Sequence, residues 1–483
     1  MTQITLQPKA VFDCFAQINK IPRPSNKEQK MAAFLVDFGK KLGLETLQDA
    51  AGNVLIRKPA TPGLENLKPT VLQSHMDMVC EKVAGSDFNF ETDPIETYID
   101  GEWMRAKGTT LGADDGIGVA MEMAILQDST IEHGPLECLF TVCEEEGLSG
   151  AMGLEANFMQ ADYLINLDSE DEGWIFVSCA GGATTKATFH ATMEPAPQGT
   201  FFFKLQVSGL TGGHSGDDIE KKRANANKLL ARILAALRQY DMRLADIQAG
   251  GLHNAIPRDG YAIACVPTEH KEAVRVLVNK MTAEMEEEFS ATEPDMRIAL
   301  ESTDPAANVI DVTTTDHLIT ALVSVANGVL AMDQEIPNFV QTSSNLASVH
   351  LAGSDINIVT SQRSNIMSAR ENASQMISGV FTLAGADVEI GDGYPGWKLN
   401  PQSPLLSITV ESYRRIFNKE PEIRAIHAGL ECGLFSLKYP NVDMVSFGPT
   451  LRGVHSPDER LLIPTVQMVW DHLLDILKNI PAK

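Results

Sequence analysis

The sequence lacks paired cysteines, long apolar runs and a leader-like start. Its 483 residues contain seven cysteines, none of them in a Cys-x-x-Cys pair, and such a dispersed set favours reduced thiols over a disulfide framework. No stretch of about 18 consecutive apolar residues occurs, so we expect no membrane-spanning helix. The first residues contain no basic stretch followed by an apolar one, which is the pattern of a secretory signal. We therefore expect a cytoplasmic protein.

Basic residues are scarce relative to acidic ones. The chain has 39 Lys and Arg residues against 64 Asp and Glu residues, for a formal net charge of −25 at pH 7. This excess of negative charge repels phosphate backbones and anionic lipids, so we expect neither nucleic-acid nor membrane partners. A composition of 44% hydrophobic and 21% charged residues is typical of globular proteins, and the length implies at least two domains.

The order of predicted strands and helices indicates a discontinuous α/β domain. Residues 1–188 alternate strands with helices, which predicts a mostly parallel sheet with helices on both faces. Over residues 189–390 the pattern changes to an α+β arrangement, and its two rounds of strand and helix suggest an internal duplication. The α/β pattern returns over residues 391–483. We therefore expect one domain of two segments, 1–188 and 391–483, interrupted by an inserted lid domain.

The segment Pro22-Arg-Pro-Ser-Asn26 interrupts the first helical pattern. Proline disfavours continuation of a helix, whereas Ser and Asn side chains bond the free N–H groups at a helix start. We therefore predict that Ser25 or Asn26 caps a second helix, which ends near Leu42 with Gly43 beyond it.

A His-Met-Asp triplet follows the apolar strand predicted around Val71. Because side chains alternate along a strand, His75 and Asp77 project to the same side. An imidazole and a carboxylate at a strand end can begin a metal site, although an ordinary structural pair is the commoner explanation. The triplet alone does not decide between the two.

Further carboxylates and a second imidazole follow other predicted elements. They are Asp114, Glu144, Glu145, Asp168 and His455. Taken singly, an aspartate can cap a helix and a run of glutamates can form a solvated face. Open α/β sheets, however, place their sites beyond the carboxyl ends of strands, so the joint occurrence predicts a metal centre. Mixed nitrogen and oxygen ligands suit zinc, manganese or cobalt, whereas calcium and magnesium would not need the histidines.

Motifs along the whole chain resemble one family in one order. These motifs include Ser74-His-Met-Asp77, Gly112-Ala-Asp-Asp-Gly116, Cys143-Glu-Glu-Glu-Gly147, Asn166-Leu-Asp-Ser-Glu170, Leu210-Thr-Gly-Gly-His-Ser-Gly216, Asn254-Ala-Ile-Pro-Arg258, Tyr394-Pro-Gly-Trp397 and His455-Ser-Pro-Asp458. They resemble those of the co-catalytic zinc exopeptidases, the family that contains peptidase T and carnosinase-type dipeptidases. The likeness is greatest to its bacterial aminoacyl-histidine dipeptidase branch. The resemblance implies that the discontinuous domain is the catalytic one.

The resemblance also implies a role for each candidate ligand. Asp114 would bridge two divalent ions, with zinc expected and cobalt or manganese as alternatives. His75 and Asp168 would complete one ion site, and Glu145 and His455 would complete the other. Asp77 would orient the His75 ring, and Glu144 would be the general base acting on a metal-bridging water. The residues themselves leave open which of Glu144 and Glu145 is the ligand.

For substrate binding, the resemblance implies residues in the lid and near the chain's end. His214 would stabilise the tetrahedral oxyanion, from its own chain or across a homodimer. Asn254 and Arg363 would bind the substrate backbone and its C-terminal carboxylate, and Glu431 its free amino terminus. The family often has Asn where Asp115 stands, and this residue can cap the next helix.

The implied activity is hydrolysis of unblocked dipeptides, including Xaa-His and β-Ala-His. A tripeptidase, a carboxypeptidase or an N-acyl-amino-acid deacylase on the same scaffold is the first alternative. A metal-binding or peptide-binding protein without catalysis is the second, although simple storage would not require the spare carboxylate Glu144.

Overall fold

The computed structural model describes residues 5–483, which form two compact units. The first comprises residues 5–178, Lys398–Ala425 and Glu431–Lys483, and the second comprises Cys179–Trp397 and Ile426–Leu430. The chain thus leaves the first unit and returns to it, as expected for a discontinuous domain with an insert. The unit borders lie at 178/179 and 397/398, whereas the sequence pattern placed them at 188/189 and 390/391.

The segments before residue 180 supply most of the first unit. In chain order they are α1 (Lys9–Ile18), α2 (Gln29–Lys41), β1 (Glu45–Gln48), β2 (Val54–Lys58), β3 (Thr70–His75), β4 (Thr97–Asp100), β5 (Trp103–Ala106), α3 (Ala113–Gln127), β6 (Leu136–Thr141), α4 (Ser149–Gly153), β7 (Tyr163–Asn166) and β8 (Trp174–Cys179).

The middle of the chain builds the second unit. Its elements are β9 (Gly181–His190), β10 (Met193–Pro195), β11 (Thr200–Ser208), β12 (Gly213–His214), α5 (Ala226–Leu237), β13 (Arg243–Gly250), β14 (Ala255–Ile256), β15 (Gly260–Pro267), α6 (Lys271–Glu288), β16 (Arg297–Ser302), β17 (Asn308–Ile310), α7 (Val312–Ser324), β18 (Gly328–Met332), β19 (Val340–Ala352), β20 (Asp355–Ser364), α8 (Met367–Leu383) and β21 (Asp387–Ile390).

The last segments return mainly to the first unit. They are α9 (Pro404–Phe417), β22 (Glu422–Ile426), α10 (Glu431–Lys438), β23 (Asp443–Ser446), β24 (Leu451–Arg452), β25 (Arg460–Leu462) and α11 (Ile463–Lys478). No helix within residues 5–483 combines the length and apolar character needed to cross a bilayer.

The first unit contains an eight-stranded mixed sheet in the order β1-β2-β6-β3-β7-β23-β8-β22. The four central strands β6, β3, β7 and β23 run parallel, whereas β1, β2 and β8 join antiparallel to their neighbours. The α/β class is therefore confirmed, with the parallel pairing at the centre of the sheet. Every residue of β3 and β6 is buried, as expected for strands covered on both faces.

Helix α3 packs against α1 and β3. All of its residues except Asp114 and Gln127 are buried, because small and apolar residues occupy most positions around the helix. A smaller four-stranded sheet in the order β24-β25-β5-β4 brings the end of the chain to the same unit.

The second unit contains a nine-stranded antiparallel sheet. Eight strands follow the order β16-β11-β15-β13-β19-β20-β9-β21, and β18 pairs with β19. Strand β9 crosses the expected 188/189 boundary, because its whole length pairs with β20 in this sheet. Apolar side chains of α5, α7 and α8 pack with the sheet into one core.

Candidate di-metal site

The side chains predicted as metal ligands come together in the first unit. His75 is the last residue of β3, and Glu145 and Asp168 follow the ends of the neighbouring strands β6 and β7. Because these strands are parallel and adjacent, their carboxyl ends meet at one edge of the sheet. Asp114 lies at the start of α3, and His455 lies in the loop between β24 and β25.

Asp114 contacts both imidazoles, one with each carboxylate oxygen. Its Oδ1 lies 3.3 Å from Nε2 of His75, which is also 3.4 Å from Oδ1 of Asp168. Its Oδ2 lies 3.2 Å from Nε2 of His455, which is also 2.9 Å from Oε2 of Glu145. In each of these two triads the potential ligand atoms lie within 4.8 Å of one another. The arrangement is two His–carboxylate clusters that share one aspartate.

The charges of the clusters favour cations. Burial and the Asp114 carboxylate raise the pKa of Asp168 to about 8. Hydrogen bonds to Asp114 and Glu145 raise the pKa of His455 to about 11. Burial alone would raise the pKa of Asp114, but hydrogen bonds from both imidazoles outweigh it, so the pKa is lowered. More carboxylates than imidazoles face one another, the carboxylates are largely buried, and divalent cations would neutralise this excess of negative charge. The donor set therefore fits two metal ions.

Glu144 lies beside this arrangement. Burial raises its pKa well above the usual value, and the carboxylates of Asp168 and Glu145 raise it further against the opposing effect of His75. His75, Glu144 and Glu145 also form a third group whose potential ligand atoms lie within 4.8 Å. Glu144 is thus within reach of the site without being part of the two clusters that share Asp114.

Asp77 connects the His75 ring to the loop that carries the glutamates. Its Oδ1 lies 3.3 Å from Nδ1 of His75 and accepts the Glu144 N–H at 3.0 Å. Its Oδ2 accepts the Ser25 hydroxyl at 2.7 Å and the Glu145 N–H at 3.3 Å. The carboxylate is fully buried, and these donors compensate its lost hydration. Such contacts suit a residue that orients the imidazole.

The start of α2 differs from the sequence-based prediction. The helix begins at Gln29 after Glu28, and no side chain caps it. Ser25 instead bonds Asp77, and Asn26 donates to Oε2 of Glu146 at 2.5 Å. Glu28 accepts the Cys143 N–H at 3.0 Å. The capping prediction was wrong because these side chains bond a loop distant in sequence instead of their own helix.

Asp115 caps α3, as the sequence allowed, and Asp114 does not. Asp114 has φ −83° and ψ 110°, outside the helical region. Oδ1 of Asp115 accepts the Gly118 N–H at 3.2 Å. Asp115 therefore caps the continuous part of α3, and the Asp114 carboxylate faces the imidazoles.

Glu431 belongs to a buried polar network. It is fully buried at the start of α10, and its Oε2 accepts bonds from Nε2 of Gln73 at 2.6 Å and the Thr141 hydroxyl at 2.8 Å. Gln73 in turn accepts from Nδ2 of Asn166 at 2.6 Å. Burial raises the pKa of Glu431 to about 7. The network joins β3, β6 and β7 near their carboxyl ends, just before the residues that carry the candidate ligands.

In the second unit, His214 has a defined ring tautomer. It lies in β12, paired with Ala255 of β14. Its Nδ1 accepts the N–H groups of Gly216 at 3.3 Å and Asp217 at 3.2 Å. The proton of a neutral ring is therefore on Nε2, which leaves Nε2–H as the ring's donor.

The other two lid residues have different surroundings. The Asn254 carbonyl accepts the Ser215 N–H at 2.7 Å, next to His214, and its side chain is half-buried. Arg363 lies in the interior strand β20 and is only 6% exposed, where its Nη1 donates to the Tyr394 hydroxyl at 3.0 Å. A guanidinium this deeply buried is unlike an ordinary surface arginine.

Known proteins are similar to this chain in sequence and fold. The model of a family described as Peptidase family M20/M25/M40 matches residues 71–479. The chain is 44% identical over 479 residues to the cytosol non-specific dipeptidase of Escherichia coli (strain K12), covering 99% of both chains. It is 43% identical to aminoacylhistidine dipeptidase from Vibrio alginolyticus, whose crystal structure matches with a TM-score of 0.91 over 99% of this chain and 98% of that chain. Aminopeptidase PepT from Bacillus cereus ATCC 10987 shares the fold at a TM-score of 0.62 and 16% identity, over 98% of this chain and 99% of its own.

Proposed function

The chain belongs to peptidase family M20/M25/M40, and on that premise we propose that it is a dipeptidase that works with two divalent metal ions. The observation that carries the proposal is the division of the two Asp114 oxygens between the His75 and His455 clusters. Zinc is the ion we propose, because histidine nitrogens and carboxylates are its usual ligands, and cobalt or manganese would fit the same donors.

Each cluster would hold one ion. His75 and Asp168 would bind the first, Glu145 and His455 the second, and Asp114 both. When bound, the ions lower the pKa of a water molecule and polarise the peptide carbonyl. Asp77 keeps the His75 ring in place from its Nδ1 side, so that Nε2 faces the cluster.

Glu144 is proposed as the general base. It would accept a proton from the attacking water and return it to the leaving amine. One observation supports this role: Glu144 lies beside the His75 cluster but is not part of the two clusters that share Asp114. Glu145, its neighbour, already lies 2.9 Å from His455 and is proposed as the ligand.

The proposed substrates are unblocked dipeptides, including those with a C-terminal histidine. The name of the Escherichia coli relative describes a non-specific dipeptidase, and that of the Vibrio alginolyticus relative an aminoacylhistidine dipeptidase. His214 is proposed to donate its Nε2–H to the oxyanion. Arg363 and Asn254 are proposed to bind the C-terminal carboxylate and backbone, and Glu431 the amino terminus.

Location and assembly are part of the proposal. We propose a cytoplasmic protein, as the name of the Escherichia coli relative suggests, and a homodimer. Light scattering coupled to size-exclusion chromatography tests the second point: a mass near 105 kDa, about twice the 52.5 kDa of one chain, is expected, and a mass near that of one chain would contradict it.

A substrate panel after chelation tests the function. Metal-free protein is incubated with zinc, cobalt or manganese and given free dipeptides, tripeptides, N-acyl amino acids and dipeptides amidated at the C-terminus. We expect cleavage of free dipeptides only after metal is restored, with two ions bound per chain. Preference for tripeptides or N-acyl amino acids would favour the alternative activities, and full activity in the chelated protein would contradict the metal requirement.

A further inference from the structure

Glu459 accepts hydrogen bonds from the backbone that carries Asp114. Its side chain is only 2% exposed. Oε2 accepts the Leu111 N–H at 2.6 Å and the Gly112 N–H at 3.0 Å. Oε1 accepts the Ala113 N–H at 2.8 Å and lies 3.4 Å from the Asp114 nitrogen. One carboxylate thus bonds consecutive residues that lie far from it in sequence.

These bonds satisfy backbone that precedes the continuous part of α3, which Asp115 caps. Asp114 and Asp115 have non-helical dihedral angles, so the N–H groups of residues 111–114 have no partner within the helix. The charge of Glu459 also lies near the amino end of α3, where a carboxylate is stabilising. Bonds from N–H groups to an ionised carboxylate are also stronger than neutral ones.

Arg23 holds the same backbone from its carbonyl side. Its Nη2 donates to the Gly112 carbonyl at 2.6 Å, and its side chain is 1% exposed. A Cβ atom at position 112 would lie 2.4 Å from this Nη2, so the two groups are closely packed. Gly112 is therefore bonded to Glu459 through its N–H and to Arg23 through its carbonyl, and the two opposite charges balance each other.

Glu459 also shares a loop with a proposed ligand. His455 and Glu459 both lie between β24 and β25, and Asp114 faces His455 at 3.2 Å. The same loop thus supplies the His455 imidazole and the Glu459 carboxylate that bonds the backbone of Asp114.

We propose that Glu459 is a positioning residue, which fixes the backbone of residues 111–114 and so places the Asp114 carboxylate between His75 and His455. Its effect on the backbone stands on the contacts alone, whereas its effect on catalysis rests on the proposed function. Because Asp114 is shared by both clusters, loss of Glu459 weakens both ion sites together.

Glu459→Gln tests the proposal with little change of size. The variant loses the charge and turns an amide group toward backbone N–H groups. In metal-free protein, we expect at least tenfold faster hydrogen exchange in peptides covering residues 111–114, measured by mass spectrometry. Competition with a chromophoric chelator should show zinc affinity about tenfold to a hundredfold weaker, the usual effect of removing the support of a ligand.

Asp443→Asn is the matched control. Asp443 also accepts a backbone N–H at a helix start, from Leu405 at 3.0 Å, and the Ser403 hydroxyl at 2.7 Å. It lies at the amino end of β23, opposite to the strand ends that carry the ligands. We expect the control to lower the thermal midpoint while zinc affinity and exchange over residues 111–114 stay at wild-type values.

The outcomes distinguish a failure of the positioning role from a failure of the proposed function. If Glu459→Gln shows the hydrogen exchange and the zinc affinity of the wild type, the positioning role is overturned. It is also overturned if the variant, like the control, only loses thermal stability and keeps its zinc affinity. Faster hydrogen exchange and weaker zinc binding in Glu459→Gln support the positioning role even if the wild-type protein cleaves no dipeptide. In that case only the proposed dipeptidase function is rejected. If Glu459→Gln fails to fold, Glu459→Asp decides: we expect intermediate values for both readouts, and wild-type values for both overturn the proposal.

Discussion

At the scale of single residues, the division of labour between Glu144 and Glu145 is the central question. The two are adjacent in sequence, and both backbone N–H groups are bonded by Asp77. Only Glu145 approaches His455, at 2.9 Å. Their side chains therefore have different partners although one carboxylate anchors both.

Glu144→Gln tests the proposed base. Because the amide cannot accept the proton, we expect kcat/KM to fall by about 10²–10⁴-fold, while two ions per chain remain by elemental analysis. Glu146→Gln is the control: this neighbour bonds Asn26 and is in neither cluster, so activity should stay near wild type. Loss of an ion from Glu144→Gln would instead make Glu144 the ligand.

His455→Ala tests the second ion site. Removing the imidazole leaves the second cluster without its nitrogen ligand, while the His75 cluster stays intact, so we expect metal content to fall from two ions toward one. His190→Ala is a matched control, because His190 also lies between two carboxylates, 2.8 Å from Asp355 and 3.1 Å from Asp387, but belongs to the second unit and to neither cluster. Unchanged stoichiometry and activity in His455→Ala would remove this residue from the site.

At the scale of secondary-structure elements, α9 and α11 meet around a buried histidine. Nε2–H of His472 on α11 donates to the Thr409 carbonyl of α9 at 2.8 Å. Its ring packs against Tyr413 and Phe447, with centroids 5.3 Å and 4.8 Å away. Burial lowers the pKa of His472 to about 4. The neutral ring is thus part of the packing between these helices.

This histidine makes stability depend on pH in a known direction. A histidine in an unfolded chain has a pKa of about 6.5, so folding favours the neutral ring and its contribution is complete above that pH. This contribution to the free energy of unfolding decreases as the pH falls from 6.5 toward 4. At pH 5 the decrease is about 2 kcal/mol. His472→Phe should therefore show a smaller drop in thermal midpoint than wild type between pH 7 and pH 5.

His190 supplies the control of opposite sign. Hydrogen bonds to Asp355 and Asp387 raise its pKa, so its contribution is present at low pH and is lost as the pH rises. His190→Ala should lose stability relative to wild type at pH 5 more than at pH 8. Equal pH dependence of wild type and His472→Phe would contradict the role of the buried ring.

At the scale of the whole molecule, the proposed residues belong to two different units. The first unit holds the ligand clusters, Glu144 and Glu431. The second holds His214, Asn254 and Arg363, on strands of a separate sheet or beside them. We therefore expect substitutions of His214, Asn254 or Arg363 to leave the metal content unchanged.

Arg363 gives the prediction for the second unit. Because a buried guanidinium favours a carboxylate over a neutral amide, free dipeptides should be better substrates than amidated ones by about tenfold to a hundredfold in kcat/KM, the ratio that a charged hydrogen bond supplies. Arg363→Gln should reduce this ratio without loss of metal. Arg232→Gln is the control, since Arg232 pairs with Glu288 on the exposed surface. Equal cleavage of free and amidated peptides by wild type would contradict the assignment.

The sequence by itself determined the α/β class and the discontinuous arrangement, because both depend on local periodicity. Strand–helix alternation at the two ends of the chain is visible without coordinates. The clustering of polar residues after β3, β6 and β7 could also be predicted, since parallel neighbours bring their carboxyl ends together. The motifs then indicated a family that the full-length relatives confirm.

Only the tertiary structure decided which side chains hold the candidate ligands in place. Ser25 and Asn26 were expected at a helix start but bond Asp77 and Glu146. Glu459 carried no signal in its own segment, because its partners are the N–H groups of residues 111–114, more than three hundred residues away. Local pattern specifies the elements and their ends, whereas hydrogen bonds between distant segments depend on how the whole chain packs.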